Sequence, residues 1–330
     1  MAKKILVVGQ HYWPETFRIT DICEGLVEKG YEVDVLCGIP NYPSGSIFKG
    51  YGFLKNRRQM HNGVKIIRVP EIPRGNNSNF RIFLNYISYP FFSMLYVPFF
   101  IFRGYDRIIA YQLSPVFMMF PAIVIAKISR KKLFVYILDF WPHSLFSIIP
   151  FKKIWLRNLL TKVSYWHYKQ AYGAIGAFKG IEDRLISEVG LNKSQTLYIP
   201  QAPEKIYERR IHDRELTTRF KSKFNIVFAG NINPAQGFDT ITKAAKIVFE
   251  KGYNNLNYII IGEGMSKQWL LEEVSKLGLN SQFTFETLKP VEEIPKYQTL
   301  ADILIVALTK SSLFEYGVPA KVQSYMASGK

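Results

Sequence analysis

The chain has 330 residues, 48% hydrophobic and 21% charged, which excludes a disordered polyelectrolyte and exceeds what one ordinary core encloses. Its two cysteines, Cys23 and Cys37, exclude a disulfide-built scaffold and are expected as buried free thiols in a reducing compartment. The net charge of +17 is uneven: residues 1–200 hold 26 Lys and Arg against 12 Asp and Glu, whereas residues 201–330 hold 17 against 14, so the first part alone calls for a large anionic partner.

Met1-Ala2-Lys3-Lys4 leads directly into the first strand, so no signal peptide is expected. Ile5–Gly9 is short and wholly apolar, as a parallel strand buried on both faces should be. A helix is predicted over Ile19–Lys29, stopped by Gly30, and a second strand over Glu32–Cys37. Strands follow at Val64–Val69, Arg107–Tyr111, Leu133–Leu138, Ala174–Ala177 and Thr196–Ile199, the pattern of a doubly wound sheet. Pro200-Gln201-Ala202-Pro203 interrupts it, and the polar stretch Glu204–Lys223 suits a linker. A second series then alternates strands at Asn225–Ala229, Leu256–Ile261, Phe283–Phe285 and Ile303–Ala307 with helices at Phe238–Lys251, Ser266–Leu277 and near Val291–Thr299. The expected architecture is α/β: two Rossmann-like domains, residues 1–203 and 204–330, facing across a cleft. The second is expected to be cut short, because the chain stops just after Gly329 in mid-element.

Ligands of open α/β sheets bind outside the strands' carboxyl ends, so the loops there are the informative ones. The loop Gly9–Thr16 lacks a G-x-G-x-x-G fingerprint, so no nicotinamide or flavin site is supported. Its Glu15 either accepts hydrogen bonds from substrate hydroxyls or caps the next helix. Ile39–Gly45 is an extended loop set by two prolines, or simply a turn. In Leu138–Ser144, Asp139 either meets a sugar and orients an attacking hydroxyl or caps a helix; His143 is a general base or a structural histidine. Gly230–Gly237 opens the second domain, where Gly230 permits close backbone approach and the following helix aims its N-terminus at phosphate. Gly262-Glu263-Gly264 makes another tight turn, for packing or for a ligand. Near the end, Gly317-Val318-Pro319-Ala320 feeds Lys321 into a helix start, where turn amides (Tyr316 to Val318) and the ammonium can hold a nucleoside diphosphate, or where Lys321 is simply a solvated side chain. There is no Asp-x-Asp and no His/Cys cluster with metal spacing, so neither metal nor cofactor is expected.

Ile82–Phe102 runs 21 residues without a charge. Pro90, Pro98 and its many aromatic residues leave three readings: buried helices, a segment dipping into a membrane, or a span. In Phe151–Tyr172, Trp155, Leu159, Val163 and Trp166 fall on one helical stripe flanked by Lys153, Arg157, Lys162 and Lys169. Such a stripe suits anionic lipid headgroups, or else faces the core.

Taken in order, YWPE, PNYPSG, LDFWPHS, GNINPAQG and GVPAKVQSYMASG resemble the family-4 glycosyltransferases of GT-B fold. Within them the chain is most similar to the branch that builds bacterial O-antigen, capsule and colanic-acid polysaccharides, including L-fucosamine transferases. The resemblance implies retaining transfer of a sugar, such as an N-acetylated deoxyhexosamine, from a UDP-type donor. The implied acceptor is a lipid-diphosphate-linked glycan at the cytoplasmic face of the inner membrane, with no metal and no covalent intermediate. A nucleic-acid-binding module is the other reading of the basic first part, but its basic residues border apolar stripes without a recognition-helix or stacking motif, so no nucleic acid is expected. Asn231 and Gln236 stand where many members carry Arg and Lys, which shifts the diphosphate-gripping role to Lys321. Ser324 stands at the ribose-binding glutamate, Glu315 lies one place from the family's first glutamate, and His143 stands where relatives carry Glu. The alternatives are a nucleotide-sugar epimerase of the same fold and a truncated inactive relative.

Overall fold

The computed structural model describes residues 2–75, 78–148, 153–310 and 318–330, and divides into two compact units, Met1–Gln201 and Ala202–Lys330. The first unit begins β1 (Lys4–Val8), α1 (Ile19–Glu28), β2 (Glu32–Gly38), β3 (Arg58–His61) and β4 (Val64–Val69). It continues α2 (Asn79–Met94), α3 (Val97–Ile101), β5 (Arg107–Gln112), α4 (Phe120–Ser129) and β6 (Lys132–Ile137). It closes with α5 (His143–Ile148), α6 (Ile154–Lys169), β7 (Gly173–Gly176), α7 (Lys179–Ser187) and β8 (Thr196–Tyr198). The strands form one sheet in the order β3-β4-β2-β1-β5-β6-β7-β8, every pair parallel except β3 with β4.

Side-chain alternation on the central strands builds a core on each face. Leu6 and Val8 of β1, with Leu36 of β2, pack toward Tyr89, Phe100 and Ala122 of α2 to α4. Ile5 and Val7, with Val33 and Val35, pack toward Ile19 and Cys23 of α1. Both cysteines are buried free thiols. The reversal of strand order between β2-β1 and β1-β5 gathers the loops after β1, β2, β4, β5 and β6 at one sheet edge.

Strand β3 is absent from the sequence reading. Its segment RQMH is polar and only partly buried, so it carries no apolar run. The signal was Asn62-Gly63, whose φ angles of 44° and 78° suit the two-residue turn that joins antiparallel strands.

The uncharged stretch forms helices α2 and α3, and among the described residues no helix is long and apolar enough to cross a membrane. Its polar side chains point inward: Asn85, Ser88 and Ser93 are buried, and the Tyr89 hydroxyl donates to Leu36 O at 3.1 Å. Phe80, Phe83, Ile87, Phe91 and Leu95 are exposed, an inverted amphipathic pattern. On α6 the buried residues are Ser164, His167 and Tyr168, while Trp155 is 63% exposed and Trp166 43%. The core-facing reading of that stripe is therefore overturned.

The second unit comprises α8 (Arg214–Phe220), β9 (Phe224–Ala229), α9 (Phe238–Glu250), β10 (Leu256–Ile261), α10 (Lys267–Lys276), β11 (Phe283–Glu286), α11 (Ile294–Leu300), β12 (Ile303–Leu304) and α12 (Ala320–Ala327). Its sheet is wholly parallel, in the order β11-β10-β9-β12. Phe228 and Ile260 face Phe238, Ile241 and Leu270 on one side; Val227 and Ile259 face Phe220, Tyr297 and Ala301 on the other. The expected linker Glu204–Lys223 is corrected: Asp213 caps α8 by accepting from Leu216 N at 3.1 Å, and Phe220 belongs to the core. Its high charge reflects an exposed helix face.

Truncating Phe100, which is 0% exposed in the larger core of the first unit, leaves a cavity. Phe100→Ala should destabilise that unit by about 3–5 kcal/mol, read from the midpoint of its urea unfolding at unchanged slope.

Candidate functional site

In the second unit, α12 carries Lys321 to the carboxyl end of β9. Pro319 precedes the helix at its N-cap, and Tyr325, one turn beyond Lys321, anchors it: the Tyr325 hydroxyl accepts from Ala229 N at 3.0 Å. The Lys321 side chain then lies over the Phe228 ring, with Nζ 3.7 Å from the centroid, and donates to Gln236 Oε1 at 2.5 Å. Gly230 makes room for it, because a Cβ there would stand 2.5 Å from Lys321 Cε and 2.9 Å from Nζ. The partners of the ammonium among the described residues are thus a ring face and a neutral amide. Burial pushes its pKa down to about 7. A lysine in this state has unused donors and gains from any anion that restores its charge.

The neighbouring loops are sewn together by backbone. Gly230 N donates to Ile261 O at 2.9 Å, and Ile232 N donates to Glu263 O at 2.9 Å. Gly264, at φ +155°, packs against Ile232 O and Asn231 Oδ1, leaving no space for a side chain. Gly230, Asn231, Gln236, Gly264 and Lys321 therefore form one cluster at the ends of β9 and β10. Ser324 lies one turn along α12 and donates to Ala320 O at 3.2 Å and to Glu204 Oε2 at 3.3 Å. Glu204, read from sequence as the start of a linker, supplies a carboxylate beside that serine. Val318 is exposed, 42% accessible. Glu315, Tyr316 and Gly317 lie outside the described residues.

In the first unit, Glu15 is buried and its oxygens are taken. Oε1 accepts from Asn41 N and Tyr42 N, both at 2.7 Å, and Oε2 meets His11 Nδ1 at 2.9 Å. It does not cap α1, whose N-cap is Arg18 with no side-chain cap bond. Its observed work is to hold the loops after β1 and β2 together, which corrects the expectation of an acceptor for substrate hydroxyls. Asn41 extends this network to Glu71, whose carboxyl also accepts from Gln10 Nε2 at 3.1 Å. Burial, first, and then the Glu15 charge hold Glu71 well above the ordinary carboxylic range, favouring its protonated form. None of Gln10, His11, Asn41, Glu71 or Arg74 was singled out as a site residue from sequence; His11 and the Pro-Asn-Tyr-Pro loop were the available signals.

Asp139, at the end of β6, accepts from the Ser114 hydroxyl, and Ser114 Oγ accepts in turn from Trp141 Nε1 at 2.8 Å. That chain fixes the carboxylate from two loops. Asp139 remains partly exposed. It lies within electrostatic reach of Tyr86, a phenol raised chiefly by burial and bonded by Arg74. His143 is placed elsewhere: Nε2 meets Glu188 Oε2 at 3.1 Å, and burial lowers the imidazole pKa. Glu188, the C-cap of α7, engages it instead of Asp139, so His143 tethers α5 to the end of α7. Lys153 at the N-cap of α6, and Trp155, Arg157, Lys162 and Trp166 on it, are all exposed, and the Lys127 ammonium sits 5.4 Å from the Trp166 ring.

Residues 210–330 match the family model described as Glycosyl transferases group 1. No curated protein matches the chain in sequence. Among solved structures, HepE from Anabaena in complex with UDP and glucose is similar at TM-score 0.67 and 14% identity, over 99% of this chain and 79% of that one. Sucrose-phosphate synthase from Thermosynechococcus elongatus is similar at TM-score 0.68 and 12% identity, over 100% and 80%. WaaG, a glycosyltransferase involved in lipopolysaccharide biosynthesis, is similar at TM-score 0.61 and 11% identity, over 99% and 79%. The fold is thus of GT-B type.

An anion seated on Lys321 favours the charged amine, so binding above pH 7 takes up a proton. Affinity for inorganic pyrophosphate, measured by calorimetry, should fall toward tenfold per pH unit, roughly, above pH 7. Lys321→Met should remove that slope. Stability shifts the other way: the unfolded chain keeps this proton up to the ordinary lysine range, so the cost of the buried charge is greatest below pH 7 and fades as pH rises. Lys321→Met should accordingly stabilise the second unit more at pH 6 than at pH 9.

Proposed function

We propose that this chain is a glycosyltransferase of bacterial surface-polysaccharide or lipopolysaccharide type. It would move a sugar from a UDP-type donor to a lipid-diphosphate-linked acceptor at the inner face of the plasma membrane. The observation that carries this reading is Lys321: a partly buried ammonium without a carboxylate partner among the described residues, at a strand end, inside the segment that matches Glycosyl transferases group 1. The complexes of HepE with UDP and with UDP-glucose, and the involvement of WaaG in lipopolysaccharide biosynthesis, support the donor class and the product class.

In this reading the second unit holds the donor. Lys321 neutralises the diphosphate, the Gly230–Asn231 and Gly264 turns allow it to approach backbone, and Gln236 keeps the ammonium aimed. Ser324 and Glu204 are placed to accept hydroxyl hydrogen bonds from the nucleoside. As the glycosidic bond breaks, negative charge grows on the β-phosphate, and Lys321 gains most where charge is greatest. The first unit receives the acceptor. Asp139, held by Ser114, orients the attacking hydroxyl toward the anomeric carbon on the face the diphosphate leaves, giving retention, and phosphate oxygens help remove the proton. Carboxylate positioning of this kind carries on the order of 10²-fold in rate.

Membrane contact falls to the first unit. Trp155 and Trp166 stand out from α6 between Lys153, Arg157 and Lys162, and Phe83, Ile87 and Phe91 stand out from α2. Exposed rings bordered by cations suit the interface of an anionic bilayer.

Asp139→Ala should lower turnover of a UDP-sugar by roughly 10²-fold or more with UDP affinity unchanged; undiminished turnover would remove Asp139 from the mechanism. Trp155→Ser with Trp166→Ser should weaken co-sedimentation with phosphatidylglycerol vesicles at least about tenfold, given the apolar area lost from the interface. Equal sedimentation of the double variant would place lipid contact elsewhere.

A further inference from the structure

The loop after β4 carries an arginine that the donor chemistry leaves unused. Arg74 Nε donates to Asn85 Oδ1 at 3.3 Å, and Nη2 lies 3.4 Å from His11 Nε2. Its guanidinium carbon sits 5.0 Å from the Tyr42 ring centroid and 5.4 Å from that of Tyr86, so two phenol rings flank it. The backbone is fixed as well: Arg74 N donates to Asn41 Oδ1 at 3.3 Å, and Gly75 N donates to Gly45 O at 2.8 Å. Its partners among the described residues are amide, imidazole and phenol groups, none of them a carboxylate.

Neither carboxyl group of the same cluster bonds this guanidinium directly, and Glu15 reaches it only through the His11 ring. Glu15 has its oxygens on two backbone amides and on His11, and Glu71 is buried and held toward its neutral acid. Arg74 is therefore a clamped planar cation at the edge where ligands of open sheets bind, with Asp139 close enough to act on the neighbouring Tyr86. A guanidinium in this state matches the two-oxygen face of a phosphate, and flanking rings remove the rotamer freedom that binding would otherwise cost.

We propose that Arg74 is an oxyanion seat in the first unit that binds a phosphate group of the acceptor substrate, with Tyr42 and Tyr86 holding it in place. The seat itself follows from the geometry; its occupant rests on the glycosyltransferase reading given above.

The test uses the full chain carrying Lys321→Met, which removes the ammonium of the second unit's candidate site. It is titrated with inorganic pyrophosphate, with farnesyl diphosphate in detergent micelles and with farnesol. Adding Arg74→Gln should weaken both phosphates about tenfold or more and leave farnesol unchanged, whereas Arg74→Lys, which keeps charge but not the fork, should give an intermediate loss. Equal affinity in the Arg74→Gln variant overturns the seat. If that variant fails to fold by circular dichroism, phenylglyoxal labelling of Arg74 in its parent replaces it: slowing by pyrophosphate supports the seat and an unchanged rate overturns it. Tighter binding of farnesyl diphosphate than of pyrophosphate supports a lipid-linked acceptor; equal binding overturns that assignment in favour of free phosphate. UDP affinity of the unsubstituted chain against its Lys321→Met variant reports on the donor reading separately: equal affinity would sink that reading without touching the pyrophosphate result.

Discussion

A positive charge taken out of water needs a counter-charge, and Lys321 has none among the described residues. Its ammonium lies on the Phe228 face and on the Gln236 amide oxygen, and burial depresses its pKa. Everything around it serves that placement. Phe228 is packed by Phe238 in the core, Gly230 leaves the space, and Tyr325 ties α12 to the end of β9. Had the fold needed only stability, a methionine would fill this position at lower cost, because a buried unpaired ammonium opposes folding. The tension is relieved when an anion arrives.

The first unit works by the opposite device. Its strand-end loops are tied to one another by internal hydrogen bonds. Glu15 clasps the loops after β1 and β2, Asn41 links them to the loop after β4, and Ser114 ties the loops after β5 and β6 through Asp139 and Trp141. The groups proposed for chemistry there are the Asp139 carboxylate and the Arg74 guanidinium, with the Tyr86 phenol beside them. A rigid surround makes each of these a defined direction in space, as positioning requires.

Most of the fold was legible because its strands are central and parallel. Leu256–Ile261 and Val64–Val69 are apolar runs between turn residues, and the structure places both at those bounds. Strand β3 escaped because an edge strand needs no apolar run, and α8 escaped because a helix with one buried aromatic reads as a linker. The site was legible where one residue type implied one chemistry. Lys321 after Gly-Val-Pro is such a case, and Gly230 and Gln236 gather about it. Glu15 and His143 misled because a side chain's partners lie far away in sequence: Glu15 meets residues 41 and 42, and His143 meets Glu188. Arg74 went unnoticed for the same reason, since its rings and amide come from three separate loops and helices. Spacing along a chain cannot show a carboxylate's saturation or an arginine's lack of one.

The central claim is that the donor's phosphates rest on Lys321. A crystal structure of the full chain with UDP tests it most directly. The account predicts a β-phosphate oxygen within about 3 Å of Lys321 Nζ, with Gln236 still holding the amine. Density for UDP with its phosphates away from the β9 end, and Lys321 still resting on Phe228 alone, would contradict it.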